Sequence, residues 1–139
     1  MSLNFLNKFL GTFFYIGMSP MAPGTVASLV ASILWFYIPN IVYLQIGIII
    51  TTLSVGLYLS MDIFNSKVDK DPSIFVLDEI VGMWISLLML PKHLGIYILA
   101  LCLFRLFDIL KPSIIYHIDR SSNYYSIMLD DVIAGIITL

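Results

Sequence analysis

Five carboxylates stand where an apolar chain has least reason to carry them. Asp78 and Glu79 lie between the apolar stretches 74–77 and 80–90, Asp108 falls three residues after Arg105 and three before Lys111, and Asp130 and Asp131 open the apolar run 132–139. An ionised group held at membrane depth costs at least about 2.5 kcal/mol, so such acids are retained for a purpose. Clustered carboxylates repel one another unless something positive sits among them. Oxygen ligands without Cys and with little His suit a hard divalent cation, Mg²⁺ rather than Zn²⁺. The bland alternative makes the acids helix caps or interfacial charges paired with Arg105, Lys111 and Arg120. It explains any one acid better than it explains the set.

A second feature is the stretch Met18-Ser19-Pro20-Met21-Ala22-Pro23-Gly24-Thr25, which ends where an apolar helix begins. Free N–H groups at a helix start, a Thr and a glycine permitting close approach suit an anion such as phosphate. On its own the stretch reads as a plain loop and N-cap; beside a cation-binding acidic cluster it becomes a phosphate cradle.

Several phosphate chemistries are excluded. A cysteine phosphatase needs its nucleophile five residues before an arginine, and Cys102 stands three before Arg105 inside an apolar run, which reads as a small buried hydrophobe. Asp69-Lys70-Asp71 imitates an aspartyl-phosphate motif but follows the polar Asn65-Ser66-Lys67 instead of a buried strand, so it reads as a solvated loop. His93 and His117 fall on opposite sides of the apolar segments, and no GxxxxGK[ST] loop occurs.

The elements that must position these groups follow from hydropathy. The chain has 139 residues, read as one domain over 1–139, with 60% apolar and 12% charged residues and a net charge of −2. That balance excludes disorder and leaves no basic footprint for nucleic acid. No charge occurs between Lys8 and Asp62, a gap of 53 residues. A bilayer core needs roughly 20 apolar helical residues. Residues 41–61 match best; 25–38 form a shorter segment broken from it by Pro39-Asn40; a third runs from Asp71-Pro72, as N-cap and first helical residue, to Leu90 before Pro91; a fourth spans 94–110 and stops at Lys111-Pro112. The expected architecture is therefore all-α: an integral membrane bundle of about four hydrophobic helices plus a short C-terminal helix. Four crossings put six of the seven Lys/Arg and all five acids on one face, cytoplasmic by the positive-inside rule. Residues 1–10 lack the long apolar core and cleavage site of a signal peptide.

Read together, Ser19-Pro20 with Ala22-Pro23-Gly24-Thr25, Asp78-Glu79 with Gly82-Met83-Trp84, Phe104-Arg105 with Phe107-Asp108 and Lys111-Pro112, and Ile127-Met128 with Asp130-Asp131 and Ala134-Gly135 resemble the phosphatidylglycerophosphatase A family, in the family's order. The resemblance implies a Mg²⁺-dependent phosphatase of the bacterial inner membrane, multi-pass, facing the cytoplasm, that converts phosphatidylglycerophosphate to phosphatidylglycerol. It implies Asp78, Glu79, Asp108, Asp130 and Asp131 as the catalytic set, with Asp78, Glu79, Asp130 and Asp131 holding the metal. Gly24, Thr25, Arg105 and Lys111 would bind the substrate phosphate, Arg105 by its bidentate fork and Lys111 as a point charge. Two departures stand out: Ser121–Ser126 occupies a stretch where relatives commonly carry glycines, and only eight residues follow Asp131. They keep a non-catalytic partner subunit of the same family in view. Two other rivals are a small intramembrane cation or proton translocator, which would spread its acids through the bilayer depth, and a peripheral protein whose apolar segments form its own core.

Overall fold

A computed structural model describes residues 5–65, 75–110 and 126–139, with the side chains of 63–65 and 126–127 left aside. Among the described residues there are six α-helices, one short 3₁₀ turn and no strand. They are α1 (Phe5–Gly11), the 3₁₀ turn Ile16–Met18, α2 (Pro23–Tyr37), α3 (Val42–Asn65), α4 (Leu77–Leu87), α5 (Leu94–Leu110) and α6 (Ser126–Thr138).

Local sequence explains most boundaries. Pro23 starts α2 from the favoured first position. The helix ends when Ile38, restricted by the following Pro39, turns extended at φ −77°, ψ 130°. Likewise α4 stops where Leu88 extends, Met89 takes φ 62° and Pro91 follows. Helix α5 spans the expected residues.

Three expectations are corrected. The third segment is not one continuous helix to Leu90: its expected start at Asp71-Pro72 lies outside the described residues, Phe75 and Val76 are non-helical, the Val76 N–H bonds the Gly11 carbonyl at 3.0 Å, and α4 runs from Leu77 to Leu87. The result is an 11-residue helix, about 16 Å long, with Asp78 and Glu79 in its first turn. There they meet free N–H groups and the positive end of the helix dipole, a far milder setting than mid-membrane. The acidic pair Asp130-Asp131, expected to open the last helix, sits inside it, because α6 already begins at Ser126. Cys102, read as buried, is exposed on α5.

Helix α4 is the axis of the bundle. Nearly every side chain from Leu77 to Leu87 is buried, and α2, α3, α5 and α6 all pack on it. Helix α2 turns the small residues Ala27, Ser28, Ala31 and Ser32 inward, which lets the two backbones approach. Trp84 Nε1 donates to the Ala31 carbonyl at 3.0 Å, Trp35 Nε1 donates to the Leu87 carbonyl at 3.3 Å, and the two indoles stack at 5.5 Å. Buried serines cost little because each hydroxyl bonds a carbonyl one turn back, as in Ser28 to Gly24 at 2.8 Å and Ser86 to Gly82 at 3.0 Å. At the end bearing the α2–α3 and α4–α5 turns, Gln45 donates to the Pro39 carbonyl and accepts from the Met89 N–H at 3.4 Å. That end is held by neutral hydrogen bonds.

Among the described residues, one stretch is long and apolar enough to cross a membrane, Val42–Asp62 of α3, with 21 residues. Helix α2 is a shorter apolar helix. The chain alternates direction from α2 to α6, so the starts of α2, α4 and α6 and the ends of α3 and α5 share one end of the bundle.

Candidate active site

The site is set by a close crossing of α4 and α6. A Cβ built on Gly82 would lie 2.5 Å from the Asp131 carbonyl oxygen, and one on Gly135 would lie 2.4 Å from the Gly82 carbonyl oxygen. Only glycine permits that approach. One turn before each glycine stands an acid, Asp78 before Gly82 and Asp131 before Gly135, so the crossing places the acidic turns side by side.

Five carboxylates converge there in two overlapping groups. Ligand oxygens of Asp78, Asp130 and Asp131 lie within 4.8 Å of one another, and so do those of Glu79, Asp108 and Asp131. Asp131 belongs to both. The three aspartates on the floor are almost wholly enclosed, at 5% exposure for Asp78, 6% for Asp130 and 2% for Asp131. Asp78 accepts from the Glu79 N–H at 3.0 Å and Asp130 from the Asp131 N–H at 2.9 Å. Asp131 Oδ1 and Glu79 Oε2 are buried without a hydrogen-bond partner. A buried, unsatisfied carboxylate oxygen is costly, and like charges at this spacing add repulsion. Two such orphaned atoms inside a ring of oxygen donors fit a hard cation, so this acidic cluster can bind a metal ion.

The wall opposite is cationic. Arg105 reaches along α5 to pair with Asp108 one turn on, which leaves its Nε buried and unpaired. The guanidinium also lies against the start of α2: a Cβ on Gly24 would meet Arg105 Nη1 at 3.2 Å and Glu79 Oε1 at 2.6 Å. Gly24 is thus the point where α2 touches both acid and base. Thr25 sits in the same first turn but is exposed.

The structure therefore brings together Gly24, Asp78, Glu79, Arg105, Asp108, Asp130 and Asp131. Lys111 lies outside the described residues, as do the Asp69-Lys70-Asp71 loop and residues 121–125. Sequence reasoning kept Asp108 apart from the metal-binding acids, yet its carboxylate stands with those of Glu79 and Asp131. The glycines that make the crossing, Gly82 and Gly135, stood in the family-like blocks without a role; the signal for that role is an acid followed four residues later by Gly, a spacing shared by α4 and α6.

Comparison with known proteins finds relatives over most of the chain. The family model described as Phosphatidylglycerophosphatase A matches residues 9–139. A phosphatidylglycerophosphatase A of Haemophilus influenzae is 38% identical over 86% of this chain and 76% of its own length; that of Escherichia coli is 32% identical over 88% and 73%. A Bacteroides thetaiotaomicron protein, provisionally named a phosphatidylinositol-3-phosphatase, is 36% identical over 96% of this chain and 89% of its own. No solved structure matches.

Proposed function

The chain belongs to the phosphatidylglycerophosphatase A family of phosphoric monoester hydrolases, and from that premise we propose that it removes the terminal phosphate of phosphatidylglycerophosphate, with Mg²⁺ as cofactor. The observation that carries the reading is the pair of carboxylate groups sharing Asp131, one buried and one partly buried, beside the Arg105 guanidinium.

Asp78, Glu79, Asp130 and Asp131, with Asp108, would hold the cation. When bound, it supplies Lewis-acid polarisation of the phosphoryl group and eases deprotonation of the attacking water. Arg105 grips phosphate oxygens with its remaining N–H donors, Lys111 adds charge, and the N–H groups at the start of α2, at Gly24 and Thr25, receive the anion. A carboxylate not engaged by the cation accepts the proton of water as the water oxygen attacks phosphorus. The phosphorus–oxygen bond to the glycerol headgroup breaks, and the leaving alkoxide takes up the proton.

Helices α2 and α5 border an apolar groove of about 260 Å³ lined by residues including Ile33, Phe36 and Leu101, which runs from the middle of the bundle toward the end remote from the acids; a lipid tail would lie along it with its phosphate at the acidic end. We read residues 1–139 as a single domain in the bacterial inner membrane, crossing it several times, with the acidic end toward the cytoplasm. Carbonate washing should leave the protein in the membrane fraction, and release into the wash would refute integral insertion.

The deciding assay measures phosphate release by purified protein from phosphatidylglycerophosphate, phosphatidylinositol 3-phosphate, phosphatidic acid and glycerol 3-phosphate, each with Mg²⁺ or a chelator. Fastest Mg²⁺-dependent release from phosphatidylglycerophosphate is expected. Preference for the inositol lipid would reassign the substrate along the line of the Bacteroides relative. No release from any lipid would favour the non-catalytic subunit.

A further inference from the structure

The acidic floor is larger than one cation requires. Around a cation with oxygens at about 2.1 Å, neighbouring ligands stand about 3.0 Å apart and opposite ones about 4.2 Å. Each group of three oxygens, gathered within 4.8 Å, is the right size for one ion. The groups are distinct, since Asp78 and Asp130 belong to one and Glu79 and Asp108 to the other, and Asp131 alone is common to both. The orphaned oxygens distribute in the same way: Glu79 Oε2 lies in the second group, and Asp131 Oδ1 lies on the shared residue. Charge points the same way: among the described residues five carboxylates share the one paired guanidinium of Arg105, an excess that one divalent ion offsets only in part.

We infer that the site holds two divalent cations side by side, one in the Asp78–Asp130–Asp131 group and one in the Glu79–Asp108–Asp131 group, with the Asp131 carboxylate bridging them. The inference rests on the phosphatase reading only for the class of ion. Its geometry comes from the crossing of α4 and α6, which brings Asp131 between the first turn of α4 and the end of α5. The ion beside Glu79 and Asp108 is the one next to Arg105 and Gly24, where phosphate would dock. The other lies deeper, against α4.

The test uses Mn²⁺ as the probe on the full chain purified in detergent. Equilibrium dialysis should saturate at two equivalents, and electron paramagnetic resonance of the saturated protein should show spin-coupled Mn²⁺, as for ions about 3.5–4 Å apart. Asp78→Asn and Asp108→Asn should each retain one equivalent with an uncoupled spectrum. Asp131→Asn should lose the coupling and weaken both sites. Saturation at one equivalent in the unaltered protein, two uncoupled ions, or loss of all binding in both Asp78→Asn and Asp108→Asn would overturn the bridge. Gel filtration reports folding of each variant, and the unaltered protein decides the stoichiometry if a variant fails to fold. Two coupled ions without lipid-phosphate hydrolysis would refute the proposed function and leave the bridge standing; hydrolysis with one ion would do the reverse.

Discussion

Replacing Gly82 by Ala tests whether the helix crossing, and not the mere presence of five acids, makes the site. The added Cβ would fall 2.5 Å from the Asp131 carbonyl oxygen and 2.7 Å from the Phe104 ring, where ordinary contact begins near 3.4 Å. Neither neighbour is the free end of a flexible chain. Helices α4 and α6 must therefore part by about 0.9 Å at this point. The same movement carries Asp130 and Asp131 away from Asp78 and Glu79, whose oxygens already span up to 4.8 Å. A misplacement of about 1 Å at reacting groups costs on the order of 100-fold in rate. Alanine is worth about 1 kcal/mol over glycine in a helix interior, while overpacking costs about 1–3 kcal/mol, so stability should fall by no more than about 2 kcal/mol. The signature is a large loss of turnover and of Mn²⁺ affinity in a protein that still folds. Gly47→Ala provides the control, because a Cβ there meets nothing within 4 Å and α3 should only gain stability. Lipid-phosphate release and Mn²⁺ titration on both variants make the comparison, with thermal unfolding alongside. Turnover and metal affinity of Gly82→Ala within twofold of the parent would refute the reasoning.

Other consequences are measurable. Arg105→Lys keeps the charge but loses the fork that pairs with Asp108 and, in the proposed function, would hold phosphate at the same time; losing one charge-assisted hydrogen bond is worth about 1.5–3 kcal/mol, so KM should rise roughly ten- to hundredfold in steady-state assays. Trp35→Phe removes the bond to the Leu87 carbonyl at the end of α4 remote from the acids, and should lower the melting temperature by about 4 °C with kcat unchanged. Asp78→Asn relieves repulsion on the buried floor, so in chelator its melting temperature should exceed that of the parent, while added Mg²⁺ should stabilise it less.

The parts of the fold legible in sequence are those governed by local chemistry. Proline breaks and uncharged runs located α2, α3 and α5 because backbone restriction and hydropathy act within a few residues. The start of α4 was not legible. Asp71-Pro72 is a sound helix-start signal, yet the Val76 N–H is taken by the Gly11 carbonyl, and that partner lies 65 positions away. Cys102 was misjudged for a related reason: apolar neighbours in sequence do not say which side of a helix meets protein. The acids themselves were conspicuous in so apolar a chain. That all five share one face was legible too; their division into two groups was not, since it depends on Gly82 and Gly135 touching across two helices, and so Asp108 took its place beside Glu79 and Asp131 only in three dimensions.

The two ends of the bundle divide the work between them. At one end Trp35, Gln45 and Met89 close the turns with neutral hydrogen bonds that ask nothing of a ligand. At the other, buried carboxylates are left with unsatisfied oxygens, a local instability that the rest of the bundle must carry. Cation binding repays it: an ion at 100 times its Kd adds about 2.7 kcal/mol to the folded state. Helix α4 joins the two ends, its first turn in the acidic floor and its last under the indoles. Its short length holds the charged turn in register with the rigid one, so the acids stay gathered where they could receive an ion.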